Sequence, residues 1–148
     1  LERDDIIMVS SAAITSERGP LGLRVMDHGK HYFSDKAPFV TLEQLDAARA
    51  TGAPVVELHT GAYADAADEH EKARELQRVR DAAIHADGSG LIVHAGHGLH
   101  YHNVSPVAVI SQIVELNIGH AIIARAVFDG LGTAVTEMKH LISEARHG

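Results

Sequence analysis

Apolar and polar positions alternate along this chain in two distinct periods. Ile6 to Val9 is a short β-branched and apolar run that predicts a strand, and Gly19, Pro20, Leu21 and Gly22 predict a turn after it. From Leu23 to Pro38 no period emerges. At Thr41 the pattern sharpens. Thr41 with Gln44 three residues on is a capping box, and Leu42, Leu45 and Ala48 then share one helical face until Gly52 and Pro54 stop the helix. Val55 to His59 reads as a strand carrying one charge, Glu57, in apolar surroundings. A loop from Thr60 to Asp65 leads to a long helix from about Ala67 to Ala86. Its Ala73, Leu76, Val79 and Ala83 keep helical spacing, while Glu, Lys and Arg fill the opposite face.

Asp87 to Gly90 closes that helix, and Leu91 to Ala95 reads as a buried strand that gives way to a loop of glycines and histidines up to Asn103. Ser105 and Pro106 supply a capping hydroxyl and a first-turn proline for a helix running through Ile110 and Ile113 to about Glu115. Leu116 to Ile118 is a short strand, Gly119 and His120 turn the corner, and Ala121 to Phe128 is a brief helix. Gly130 separates it from a last amphipathic helix carrying Leu131, Val135, Met138 and Ile142. Strands alternating with helices from Thr41 onward imply an α/β fold with a parallel sheet and right-handed crossovers. Such folds carry their chemistry at the carboxyl ends of the strands. Thr60-Gly61, Gly96-His97-Gly98 and Gly119-His120 all fall there, on one face.

Composition narrows the classes. With 148 residues, 45% hydrophobic and 22% charged, one α/β domain over residues 1–148 is expected. A formal net charge of −7 argues against a general nucleic-acid binder. The absence of cysteine removes disulfides and thiolate metal sites, and no apolar stretch approaches membrane-spanning length. A cytoplasmic protein is the expectation. The chain begins at Leu1, which leaves a processed product or a fragment as the expected origin.

Glu57, His97 and His120 bring a carboxylate and two imidazoles to neighbouring strand ends, sufficient for acid and base work near neutral pH. An ion pair to Lys or Arg explains Glu57 equally well. Gly119-His120 before a short helix suits phosphate, because free amides point out of a helix start and glycine leaves room for approach. His94, inside the strand, either projects into a barrel interior or hydrogen-bonds in the core, and the core is the expectation. His100 and His102 form a His-x-His pair, so a metal-dependent barrel hydrolase is the alternative, with a non-catalytic phosphate-binding remnant as another. Lys30, Lys36, Lys72 and Lys139 lie away from the assigned strand ends, so any imine must form on a substrate amine rather than on the protein.

Three segments also carry a resemblance. They are Gly52-Ala53-Pro54-Val55-Val56-Glu57-Leu58-His59-Thr60-Gly61 with Tyr63-Ala64-Asp65, Ala95-Gly96-His97-Gly98-Leu99 with Tyr101-His102-Asn103-Val104, and Glu115-Leu116-Asn117-Ile118-Gly119-His120-Ala121-Ile122-Ile123. With them, residues from about Pro38 to Gly148 resemble the carboxyl-terminal half of the pyridoxine 5′-phosphate synthase family, and residues 1–37 match it poorly. The resemblance implies part of a (β/α)8 TIM barrel that condenses 3-amino-2-oxopropyl phosphate with 1-deoxy-D-xylulose 5-phosphate, releasing water and phosphate, with no cofactor. By position, His97 would be the proton donor, Glu57 the transition-state-stabilising carboxylate, and Gly98, Gly119 and His120 the groups binding the amino-ketone phosphate. His94, His100 and Ala62 stand where the family commonly has asparagine, threonine and cysteine. The family's Asn-Asp-His motif and its proton-accepting His and Glu lie on its first four strands and have no counterpart here; Thr15-Ser16-Glu17 is only faintly similar to a Thr-Thr-Glu segment. Poor turnover by the chain alone and association into a homo-oligomer through open strand edges are therefore expected.

Overall fold

The computed structural model describes residues 1–13, 15–34, 42–50 and 52–148. Its elements in chain order are β1 (Met8–Ser11), α1 (Thr15–Asp27), β2 (His31–Ser34), α2 (Leu42–Ala50), β3 (Val55–His59), α3 (Gly61–Ala64), α4 (Glu69–Gly88), β4 (Ile92–Gly96), α5 (Val104–Ala108), β5 (Ile113–Asn117), α6 (His120–Asp129) and α7 (Leu131–His147). All strand pairings are parallel: β1 pairs with β2, and β3, β4 and β5 form a second sheet in that order. The fold is α/β, as the alternation of periods implies. Among the described residues the strands do not close into a barrel.

Pleating divides the larger sheet cleanly. Val56, Leu58, Val93, Ala95 and Ile113 point to one side and are buried there with Leu45 and Ala48 of α2, Val79, Ala83 and Ala86 of α4, and Val107 of α5. Glu57, His59, His94, Glu115 and Asn117 take the other phase and leave that layer. Register is kept from Val55↔Ile92 to His59↔Gly96, and an irregularity at Val93/His94 sets His94 opposite Glu115 and Gly96 opposite Asn117. The strand ends are thus level with one another.

Helix boundaries follow local chemistry where it is strong. Asp68 caps α4 by accepting the Glu71 amide at 2.7 Å, while the Glu71 carboxylate accepts the Ala67 amide at 2.9 Å. Gly52 and Gly130, both left-handed, end α2 and separate α6 from α7 as the sequence suggests. The capping box assigned to Thr41 lies outside the described residues.

Several expectations are corrected. The strand expected at Ile6 to Val9 is shifted to Met8–Ser11. Gly19 to Gly22 is not a turn but the middle of α1, with Pro20 inside the helix. Tertiary contact overrides the local signal there: a Cβ on Gly22 would come within 2.7 Å of the Tyr32 ring, and the Tyr32 hydroxyl donates to the Arg18 carbonyl at 3.1 Å. Thr60 to Asp65 is not all loop, since Gly61–Ala64 forms a turn of helix around the buried Tyr63. The helix expected from Ser105 to about Glu115 stops at Ala108, its cap position is Asn103, and Ile113 opens β5 instead, buried beside Val93 in the sheet. No helix of the described residues is long and apolar enough to cross a membrane.

Candidate active site

The carboxyl ends of β3, β4 and β5 open into a cleft of about 690 Å³ lined by Glu57, His97, Gly98, Leu99, His100, Asn117, Ile118, Gly119, His120 and Ala121. That volume suits a small-molecule ligand. Glu57, His97, Gly98, Gly119 and His120, all singled out in the sequence, are therefore brought together. A wider groove of about 910 Å³ beside α2 and α4 contains neither Glu57 nor His97, and its Arg74 and Arg78 are already paired with Glu75. Convergent polar chemistry lies in the smaller cleft.

Glu57 does not pair with Lys or Arg among the described residues. Its Oε2 accepts the Asn117 side-chain amide at 2.9 Å, and its Oε1 lies 3.7 Å from His97 Nε2. The second distance is too long for a direct hydrogen bond, yet it leaves both groups within reach of one bound atom. His97 itself sits at φ 82°, the one non-glycine residue in the left-handed region among those described, and Gly98 follows at φ 73°. That backbone costs on the order of 1 kcal/mol and persists only when its surroundings hold it.

Residues 59–61 do the holding. The Thr60 hydroxyl is fully buried, 2.7 Å from the Gly96 carbonyl and 2.6 Å from the His97 carbonyl, and it shares its one proton between them. The His59 ring stacks on the His97 ring with centroids 4.4 Å apart and planes 17° from parallel. The Gly61 amide donates to His59 Nδ1 at 3.2 Å. Burial pushes the His59 imidazole below its ordinary pKa, and positive charge at His97, Arg78 and Arg18 adds to that. Beyond His97 the loop is tied by Asn103, whose Oδ1 accepts the His100 amide at 2.7 Å, whose Nδ2 donates to the Gly98 carbonyl at 3.1 Å, and whose own carbonyl accepts the Tyr63 hydroxyl at 2.8 Å.

His120 is exposed at the first position of α6, and no side chain caps that helix start. Its first amides stay available to an anion. His94 is not in the helix-covered core as expected. The strand phase turns it to the other face, where its Nδ1 lies 3.5 Å from Glu115 Oε1. His100 Nδ1 accepts the His102 amide at 3.2 Å, and the two rings meet edge to face at 5.9 Å. Among the described residues no three His, Cys, Asp or Glu side chains converge as a metal site.

Sequence reasoning placed Thr60 at a strand end on the site's face without giving it a role, and missed His59, Asn103 and Asn117 as parts of this site. Period 2 carries a signal for two of them, since His59 follows Glu57 and Asn117 follows Glu115 on the same strand face. Thr60 and Asn103 act through backbone carbonyls and amides, which leave no pattern in the residue types.

Comparison with known proteins adds the following. The family model described as pyridoxal phosphate biosynthesis protein PdxJ matches residues 37–144. A protein of Pseudoalteromonas translucida (strain TAC 125) named pyridoxine 5′-phosphate synthase is 62% identical over 103 residues, which is 70% of this chain and 42% of the relative. A protein of the same name from Legionella pneumophila (strain Corby) is 60% identical over 104 residues, with the same two shares of 70% and 42%. The chain thus spans less than half the length of these relatives.

Proposed function

From the premise that the chain belongs to the family of the pyridoxal phosphate biosynthesis protein PdxJ, we propose that its cleft is one part of a pyridoxine 5′-phosphate synthase site. In this reading β3, β4 and β5 are consecutive strands of a (β/α)8 barrel, and the reaction is the ring-closing condensation of 3-amino-2-oxopropyl phosphate with 1-deoxy-D-xylulose 5-phosphate. The observation that carries it is the lining of one cleft by Glu57, His97, Gly98, Gly119 and His120.

The chemistry fits those side chains. An amine adding to a ketone forms a carbinolamine whose hydroxyl leaves as water only once it is protonated, and His97 is the donor placed at the cleft. Loss of that water develops an iminium cation, and the Glu57 carboxylate, oriented by Asn117, is the anion beside it. The uncapped start of α6 with Gly119 and His120 holds the amino-ketone phosphate, and Gly98 lets the loop backbone approach it. In this reading the amine belongs to the substrate, and none of the described residues lining the cleft is lysine.

We expect this chain alone to bind 3-amino-2-oxopropyl phosphate weakly, to turn it over poorly and to associate through the open edge of β5. Calorimetric titration with that compound tests the reading. Replacing His120 with Ala should weaken binding about tenfold, the worth of one hydrogen bond to a charged group. Binding that ignores the His120→Ala change would sink the phosphate assignment.

A further inference from the structure

We propose that His59 is a positioning residue for His97: its ring, stacked face to face on the His97 imidazole, holds that imidazole with Nε2 directed at Glu57. This deepens the proposed function and rests on the reading of His97 as proton donor.

Three features of the backbone build the stack. The parallel register sets His59 at the end of β3 beside Gly96 at the end of β4. The left-handed backbone at His97 then folds that residue's own ring back onto His59. The Thr60 hydroxyl secures the two carbonyls, Gly96 and His97, on either side of that turn. The His97 backbone is thus fixed from β3 before its side chain is considered.

The platform is itself pinned. With the Gly61 amide donating to Nδ1, the His59 proton must sit on Nε2, and the ring is neutral in this arrangement. Residue 61 has to be glycine for the ring to lie where it does, because a Cβ there would collide with His59 Cε1. His59 is not among the residues that line the cleft shared by Glu57, His97 and His120. Its route to the chemistry is through His97. A loop imidazole is otherwise free to sample several χ1 and χ2 wells, and a proton donor must be held in one of them.

The test separates the ring of His59 from its acceptor nitrogen. His59→Phe keeps the flat ring and loses the acceptor, whereas His59→Asn keeps an acceptor for the Gly61 amide and loses the ring. The ring ¹⁵N shifts of His97 report which nitrogen carries the proton, and its three-bond couplings report the rotamer. Both are read on histidine-labelled protein without substrate. We expect one tautomer and one rotamer in the parent chain and in His59→Phe, and averaged values in His59→Asn and His59→Ala, with the population of the held rotamer shifted by up to about tenfold. His94 of β4, with its Nδ1 3.5 Å from Glu115 on the neighbouring β5, should be unmoved and serves as the internal control for folding. Unchanged His97 signals in both the Asn and Ala variants would overturn the proposal, as would restoration by Asn but not by Phe. Because nothing is bound in these measurements, a failed phosphate titration would count against the proposed function and leave the His97 result to stand separately.

Discussion

Asn117 reaches Glu57 over the intervening strand, its side-chain amide 2.9 Å from Oε2, because residue 96 between them has no side chain. A Cβ on Gly96 would fall 2.7 Å from Glu57 Oε1 and 3.0 Å from the Asn117 carbonyl. This bond aims the carboxylate into the cleft.

Gly96→Ala should therefore displace the carboxylate rather than merely crowd it. Overpacking of this kind costs about 1–3 kcal/mol, measurable as a lower urea midpoint, and it should abolish ligand binding in the cleft. A variant with both parental stability and parental binding would show that the close approach relaxes without consequence.

Asn117→Ala and Asn117→Asp should separate hydrogen bonding from charge. The Ala variant loses an exposed bond and should cost no more than about 1 kcal/mol. The Asp variant sets a second carboxylate against Glu57, so at neutral pH it should be the less stable of the two and should bind phosphates more weakly. The gap should close in acid as the carboxylates protonate. Equal unfolding midpoints for the two variants at pH 7 would contradict this account.

Thr60→Val removes the hydroxyl that Gly96 and His97 share while keeping its shape. The Gly96 carbonyl keeps the Thr60 backbone amide as donor at 2.8 Å, but the part-buried His97 carbonyl is left without one, which costs about 1 kcal/mol, and Thr60→Ser should recover most of the loss. Chemical denaturation of the three proteins decides the matter, and a Val variant as stable as the parent would remove Thr60 from the site.

Acid sensitivity should trace in part to His59. Above its ordinary pKa of 6.5 the ring is neutral in the folded and unfolded chain alike and contributes nothing. Below it the unfolded chain takes up a proton that the folded state resists, so stability falls as the pH falls. His59→Phe should flatten that decline as the pH falls below 6.5. Glu75 acts in a lower window: its carboxyl is held below the usual 4.5 by Arg78 first and Arg74 next, so its contribution is present above that value and is lost as the pH drops through the depressed one. Urea midpoints against pH for the parent, His59→Phe and Glu75→Gln should therefore diverge in different ranges.

Much of the second half of the chain was legible before folding. Period 3.6 located α4 and α7, β-branched and apolar composition located β3, and glycines at 52 and 130 marked helix ends, because each of these signals depends on neighbours a few residues away. The three motifs around Glu57, His97 and Gly119-His120 pointed to the family that the comparison returned, and their places at strand ends put them on one face. What failed was local evidence facing a distant partner. Pro20 lies within a helix because of how Tyr32 packs and bonds, and Ile113 left its expected helix for a place beside Val93.

Residue types and their spacing determined the alternation of elements, the strand-end location of the chemistry and the family. Tertiary structure alone decided that His94 faces Glu115 rather than the core, that Asn117 orients Glu57 across Gly96, and that His59 and Thr60 hold His97 in a left-handed turn. Each of these depends on which residues lie level in adjacent parallel strands. Register between strands some 20 to 40 residues apart is set by the packing of the whole sheet against its helices, and no local pattern contains it.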